Sequence, residues 1–488
     1  MMDVARLTEI GGGLARIHGA TAAARAEHPA VRLPDENGRF VTLSHGELDH
    51  RSAAVAGWFQ AQGITKGDRV LLCAPNSTGF VLAYLALHRI GAVVVLANPA
   101  YTDAELRHLY TDSEARAAIL PDDRALDTPL RVSAEQPLPA GDPVPATPAV
   151  PDDPAVLAYT SGTTGVPKGV VLTQANLYSS IRAVMAAWQW SPRDVLVHAL
   201  PLSHQHGLGG LHATLLAGST AVLLPRFDPA EFTAHVLESR ATVLFGVPAI
   251  YRRLLAEPDQ LAALARVRPR LVVSGSAPLD AADCAALGEV FGQIPLERYG
   301  TTESGLNVAN PYAGGRQPGT VGLPLPGVRL RLLEDAEIAV AGPQVFRRYW
   351  NRPEASAEAF TEDGFFRTGD LGEFDPESGH LRISGRKKEL IISGGLNVYP
   401  REVELAIEAH PDVAEAGVAG VASARWGEEV TAWVVPRQGT RPGEAELLAH
   451  AAARLAKYKC PKHIHLVPDL PRNSMGKLMR RALGTRNQ

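Results

Sequence analysis

Short apolar runs separated by turn residues set the pattern of this chain. The runs at 69–73, 92–96 and 220–224 are almost continuously apolar, as expected of strands buried on both faces. Residues 80–89 and 230–239 instead space their apolar positions at helical intervals. Strands alternating with helices predict parallel sheets covered on both sides, an α/β protein. The stretch from 132 to 154 is rich in Pro, Ala and Asp without periodicity, and a surface connection is expected there. From 402 a fresh pattern begins: helix 402–410, strands 413–421 and 429–435, helix 444–456 and strand 463–467. This predicts a compact α+β domain of about a hundred residues. The uncharged stretch 199–225 is long enough to span a bilayer, but it holds Ser203, His204, Gln205, His206 and His212 among its glycines. A buried strand–turn–helix is the expected structure, with no membrane span.

Composition narrows the function. With 45% hydrophobic and 20% charged residues, the 488-residue chain is neither disordered nor fibrous. A net charge of −4 gives no global field for a polyanion, so nucleic acid is a poor candidate partner. Cys73, Cys284 and Cys460 lie far apart without metal-ligand spacing, which suits a reducing compartment, and the cytoplasm is expected. Early charges at Asp3, Arg6, Glu9 and Arg16 argue against a secretory leader.

The sharpest local signal is Tyr159-Thr-Ser-Gly-Thr-Thr-Gly-Val-Pro-Lys168. Glycines at 162 and 165 let backbone amides turn inward, the hydroxyls of Thr160, Ser161, Thr163 and Thr164 add donors, and Lys168 supplies a charge. Together they describe a polyphosphate cradle. The Gly-Lys-Ser/Thr order of a Walker loop is absent. Downstream stand Ser274-Gly-Ser-Ala-Pro-Leu279, Arg298-Tyr-Gly-Thr-Thr-Glu-Ser304, Phe366-Arg-Thr-Gly-Asp370, Gly385-Arg-Lys-Lys-Glu389, Ser393-Gly-Gly-Leu-Asn-Val-Tyr-Pro400 and Pro471-Arg-Asn-Ser-Met-Gly-Lys477.

With these motifs in this order, the chain resembles the adenylate-forming superfamily of acyl-CoA synthetases, adenylation domains and luciferases, over nearly its whole length. The resemblance implies a large N-terminal α/β domain of doubly wound sheets plus a distorted β-barrel, residues 1–386. A small mobile α+β domain, 387–488, would carry the adenylation lysine. The implied reaction is attack of a carboxylate on the α-phosphate of ATP, then thiol attack on the acyl-adenylate.

By resemblance, Thr160, Ser161, Gly162, Thr163, Thr164, Gly165 and Lys168 hold the β- and γ-phosphates, Thr302 meets the α-phosphate and Glu303 helps bind Mg²⁺. Adenine is expected against Ser276, Ala277, Pro278 and Tyr299, with Arg298, Gly300 and Thr301 alongside, and the ribose at Asp370 and Arg386. Lys477 bridges carboxylate and α-phosphate, Lys388 is the hinge, Gly394 and Gly395 line a pantetheine tunnel, and Lys459 meets the phosphate after rotation. His204 orders the acid and gates the thiol; the spacing 204, 206 and 212 lacks a helical metal pair.

Arg298 stands where most relatives place a small residue, and a cation there needs an anionic partner. Together with Arg226, Trp188-Gln-Trp190 and Phe245-Gly-Val-Pro248 it resembles malonyl- and methylmalonyl-CoA synthetases, implying a small dicarboxylate such as malonate and CoA as acceptor. An internal carboxylate, Glu297, is the alternative partner of Arg298, and Asp228 of Arg226. Two departures stand out: 333–342 is too short for a hairpin usual in the family, and Ser203 and Thr301 replace an aromatic residue and a methionine. Other acids or acceptors stay open: an aryl acid, a carrier-protein phosphopantetheine, an amine, or nitrite activated for diazotisation of an aryl amine.

Overall fold

The computed structural model of the protein describes residues 13–160, 167–393, 396–423, 425–472 and 478–483. By internal packing the chain forms two compact units, Met1–Leu330 with Val340–Phe366, and Arg331–Ala339 with Arg367–Gln488.

The first unit contains two large sheets. One runs Arg131–Ser133, Ala117–Leu120, Arg69–Cys73, Val93–Ala97, Pro154–Thr160, Lys168–Thr173, parallel except for its last pair. The other has nine strands, and from Leu296–Thr301 its neighbours are Leu271–Ser274, Val243–Gly246, Val195–His198, Thr220–Leu223 and Pro29–Pro34, all parallel. Parallel strands covered on both faces explain why these segments read as unbroken apolar runs. The predicted helices occur as Thr78–Arg89 and Pro229–Ser239. Asp228 caps the second, its Oδ1 accepting from the amides of Ala230 and Glu231 at 3.0 Å, with Pro229 at the first helical position. The stretch 199–225 folds as the helix Gln205–Ala217 and the strand Thr220–Leu223. Among the described residues no helix is long and apolar enough to cross a membrane. The expected connection holds one short strand, Arg131–Ser133, and otherwise no element until Pro154–Thr160.

In the second unit the C-terminal pattern appears as helix Pro400–Glu408, strands Val413–Ser423 and Gly427–Pro436, helix Glu444–Ala452 and strand His463–Leu466. Val403, Ile407, Val418, Val430, Val434 and Leu447 form its core. The unit also contains Leu381–Arg386, the last strand of the sheet Arg329–Leu332, Glu337–Ala341, Phe366–Phe374, Leu381–Arg386. Where the family hairpin was expected to be missing, the chain reverses in a tight turn. Leu333 N donates to Glu337 O at 2.8 Å, and Ala336 has φ 62°. Lys387 is held by Asp335 at 2.6 Å and Glu337 at 3.2 Å. Arg480 is anchored within the unit: its Nε lies 3.0 Å from Glu389 Oε2 and its Nη1 2.7 Å from Oε1 of buried Glu404. Packing thus starts the second unit before 387; the boundary at 386/387 concerns movement and stays a proposal.

The first unit buries several histidines in the neutral form. Desolvation pushes His18 and His198 down to about 3 and His88 to about 4, from an ordinary 6.5. The unfolded chain therefore binds more protons than the folded one between pH 6.5 and these values. Stability from this source is full above pH 6.5 and is lost as pH falls through that window, by about 1.4 kcal/mol per pH unit for each such group. Urea midpoints should hold between pH 7.5 and 6.5 and fall from there to pH 4.5; a flat midpoint between pH 6.5 and 4.5 would rule out neutral burial.

Candidate active site

Ligands of open α/β sheets bind beyond the carboxyl ends of the strands. In the nine-stranded sheet neighbouring parallel strands end at Thr301, Ser274, Gly246, His198 and Leu223, in that spatial order. The loops leaving this edge carry Thr302 and Glu303, then Ser276, Ala277 and Pro278, then His204, and last Arg226. Loops that leave one edge of this sheet thus carry residues from 204 to 303.

At the phosphate end, Thr160 and Lys168 are paired across two antiparallel strands, closing the stem of the glycine-rich loop. Ser161, Gly162, Thr163, Thr164 and Gly165 lie outside the described residues. Thr160 Oγ1 approaches Glu303 Oε1 at 3.5 Å, and the Tyr349 hydroxyl donates to the same oxygen at 3.2 Å. The Lys168 ammonium lies 5.3 Å from the centroid of the Tyr349 ring. Tyr349 therefore joins the loop lysine to the carboxylate, a link no local motif announced. Burial first, and then the Glu303 charge, raises the Tyr349 pKa, so its hydroxyl keeps its proton as a donor.

The 275–278 turn is strained and exposed: Ser276 has φ 68°, and Ser276, Ala277 and Pro278 face solvent. Tyr299, Gly300, Thr301 and Thr302 follow on the adjoining strand, partly buried. A Cβ at Gly300 would lie 2.1 Å from Gly305 O, so only glycine lets this hairpin close. Thr301 Oγ1 is 2.8 Å from Ser304 Oγ, so its polarity is met within the protein.

The acid end centres on Arg298. A Cβ at Gly275 would fall 2.5 Å from Arg298 Nε, so the guanidinium lies directly over that glycine. Among the described residues it has no ion pair or side-chain hydrogen bond. Glu297 points to the other face of the strand, where it accepts from Leu279 N at 3.2 Å and Gly319 N at 3.1 Å. Burial lowers the Arg298 pKa to about 10, which leaves it a cation at neutral pH. His204 begins the helix Gln205–Ala217 and reaches the Asn98 amide through Nε2 at 3.2 Å, linking the two sheets; burial lowers its pKa to about 4. Gln205 Nε2 reaches Thr302 O at 3.4 Å. Arg226 does not join this cluster. It is exposed beyond the strand Thr220–Leu223, four strand spacings or about 19 Å from the strand of Arg298, and no contact connects the two arginines. Its expected alternative partner, Asp228, is occupied in capping.

In the second unit, buried Asp370 and Arg386 occupy paired strand positions, with Nε 2.9 Å from Oδ1. Lys388 is exposed in the turn Lys387–Glu389. Lys459 is tied to Glu402 at 2.5 Å, which raises its pKa. Gly394, Gly395 and Lys477 lie outside the described residues.

Known proteins resemble this chain over most of its length. Residues 19–350 match the family of AMP-binding enzymes and 402–477 its C-terminal domain. The chain is 33% identical to the mitochondrial malonate–CoA ligase of Homo sapiens, over 93% of this chain and 89% of that protein. It is 37% identical to the 2-succinylbenzoate–CoA ligase of Geobacillus kaustophilus, covering 91% and 92%. The ATP-bound crystal structure of MatB from Rhodopseudomonas palustris superposes with a TM-score of 0.87 at 37% identity, covering 97% of this chain and 98% of that one.

Proposed function

The chain belongs to the AMP-binding enzyme family, and on that premise we propose that it is an ATP-dependent acid–CoA ligase whose acid is a small dicarboxylate such as malonate. The observation that carries the substrate reading is the Arg298 guanidinium over Gly275, on the strand leading to Glu303 and with no ion pair among the described residues. A partly buried cation with no carboxylate partner among the described residues favours an anion from the substrate. Malonate and 2-succinylbenzoate, named for two relatives, each carry a second carboxylate.

In this reading Thr160, Lys168 and the 161–165 loop hold the β- and γ-phosphates, Thr302 meets the α-phosphate, and Tyr299 with residues 276–278 receives adenine. Asp370 and Arg386 would exchange their mutual ion pair for the ribose hydroxyls. Glu303 and Thr160 offer the hard oxygen ligands that suit Mg²⁺, an ion content with few protein ligands and phosphate oxygens. When bound, Mg²⁺ would neutralise developing phosphate charge. Carboxylate attack at the α-phosphorus releases pyrophosphate; the thiol then attacks the acyl carbon and AMP leaves. For that second step we propose rotation of 387–488 about Lys388, thiol entry past Gly394 and Gly395, and release of Lys459 from Glu402 to meet the nucleotide. The buried free thiols Cys73 and Cys284 support a reducing compartment, and we keep the cytoplasm.

AMP release, measured with malonate, propionate and a hydroxycinnamate against CoA, hydroxylamine, and nitrite plus amine, tests the whole reading. Malonate with CoA should be the most productive pair. Preference for an aryl acid, or for an amine over CoA, would overturn it.

A further inference from the structure

The sheet face that presents Arg298 also carries buried histidine nitrogens without a hydrogen-bond partner among the described residues. In register across neighbouring strands, Phe245 pairs with Val273 and Val273 with Leu296, so these side chains share one face. Arg298, two residues beyond Leu296, shares it too, as its position over Gly275 requires. His198 stacks on Phe245 from the same side, with ring centroids 6.2 Å apart. The helix Gln205–Ala217 covers this face: a Cβ at Gly210 would meet Leu196, Phe245 and His198. One turn earlier on that helix is His206, its ring 5.2 Å from Phe245. It is only 8% exposed, and both ring nitrogens lack a hydrogen-bond partner among the described residues.

His198 and His206 differ in a telling way. His198 Nδ1 accepts from Leu200 N at 3.1 Å, which satisfies one of its two ring nitrogens and leaves Nε2 without a partner among the described residues. His206 has no such bond, and a buried polar group left unpaired is costly enough to need an explanation. Trp188 and Trp190 pack edge-on against Phe245 at 5.8 and 5.9 Å, making the surroundings of His206 aromatic. The first helical turn is fixed at both sides, by His204 to Asn98 and by Gln205 to Thr302. Burial first, and then the charge of Arg298, hold His206 neutral, which leaves it one N–H to donate and one nitrogen to accept.

We propose that His206 is a specificity-determining residue whose imidazole donates a ring N–H to an oxygen of the substrate's distal carboxylate, alongside the charge supplied by Arg298. The inference rests on the dicarboxylate reading and deepens it. Arg298 attracts any anion; a fixed neutral donor beside it rewards an acid with an acceptor oxygen at that place and leaves a monoacid with an unpaired donor.

The test compares kcat/KM for malonate and propionate in wild type, His206→Phe and His206→Gln. Phenylalanine keeps the aromatic packing and removes both nitrogens; glutamine restores an N–H. We expect His206→Phe to lose roughly ten- to a hundredfold on malonate, with propionate changed by less than about threefold and the KM for ATP unmoved. His206→Gln should recover much of that loss. If the phenylalanine variant does not fold, ring-¹⁵N resonances of the wild type, assigned with the glutamine variant, give the same answer: malonate should shift the His206 signal and propionate should not. Equal losses on both acids, no loss at all, or a signal indifferent to malonate would overturn the inference while leaving the dicarboxylate reading intact. A wild type that does not prefer malonate over propionate would bring down that reading itself, and this inference with it.

Discussion

Replacing Lys477 with alanine should slow adenylate formation at least about a hundredfold while leaving ATP affinity nearly unchanged. The argument is electrostatic. A carboxylate approaching the α-phosphate brings two anions together, and a cation placed between them is worth most where the new bond is forming. One such pre-positioned charge typically contributes roughly 3–4 kcal/mol at the transition state, against little in the ground state. Pyrophosphate–ATP isotope exchange reads this half-reaction alone, whereas thioester formation from supplied acyl-adenylate reads the other. Lys477→Ala should depress the first and spare the second. Exchange at the wild-type rate would remove Lys477 from the chemistry, whatever the family resemblance implies.

The second large effect is expected at Arg298. Its guanidinium has no ion pair with any described residue and sits over the Gly275 backbone, so truncation should damage recognition of the acid and not the fold. A charge-assisted hydrogen bond lost from a desolvated site costs about 2–4 kcal/mol, so Arg298→Ala should lose thirty- to a thousandfold, roughly, in kcat/KM for malonate. Relative activity should move toward propionate, with the KM for ATP little altered. Arg226→Ala serves as the control. Because Arg226 is exposed and about four strand spacings away, it should change malonate turnover by less than about threefold. A large effect at Arg226 would restore the paired-arginine clamp, and no effect at Arg298 would end the dicarboxylate reading.

What could be read from the sequence was what depends on near neighbours in the chain. Burial on both faces wrote itself into 69–73 and 92–96 as unbroken apolar runs, and the strands Arg69–Cys73 and Val93–Ala97 follow them within a residue. The C-terminal helices and strands were legible for the same reason, although helix 444–456 stops at Ala452. Family membership was legible because glycines, hydroxyls and a lysine at fixed spacing form local motifs. Tyr349 and His206 were not. Tyr349 acquires its role only when a strand pairing brings it to Lys168 and Glu303, and the orphaned nitrogens of His206 become visible only once the helix lies on the sheet. The separation of Arg226 from Arg298 was not legible either, because it depends on a strand order that puts three other strands between theirs.

The ties around Lys388 have a consequence for the working cycle. Arg386 is anchored to Asp370, and Lys387 to Asp335 and Glu337, so both residues ahead of the expected pivot are pinned. Beyond it, Glu389 is bound to Arg480 and the helix Pro400–Glu408 rests against the strand Leu381–Arg386. A rotation at Lys388 would therefore split the second compact unit along its own interior, parting that helix from that strand. The piece that turns is smaller than the piece that packs. If the proposed rotation occurs, alternation between the two half-reactions would be a reversible undocking inside one unit, and the surface shared by this helix and strand would help to set its two populations.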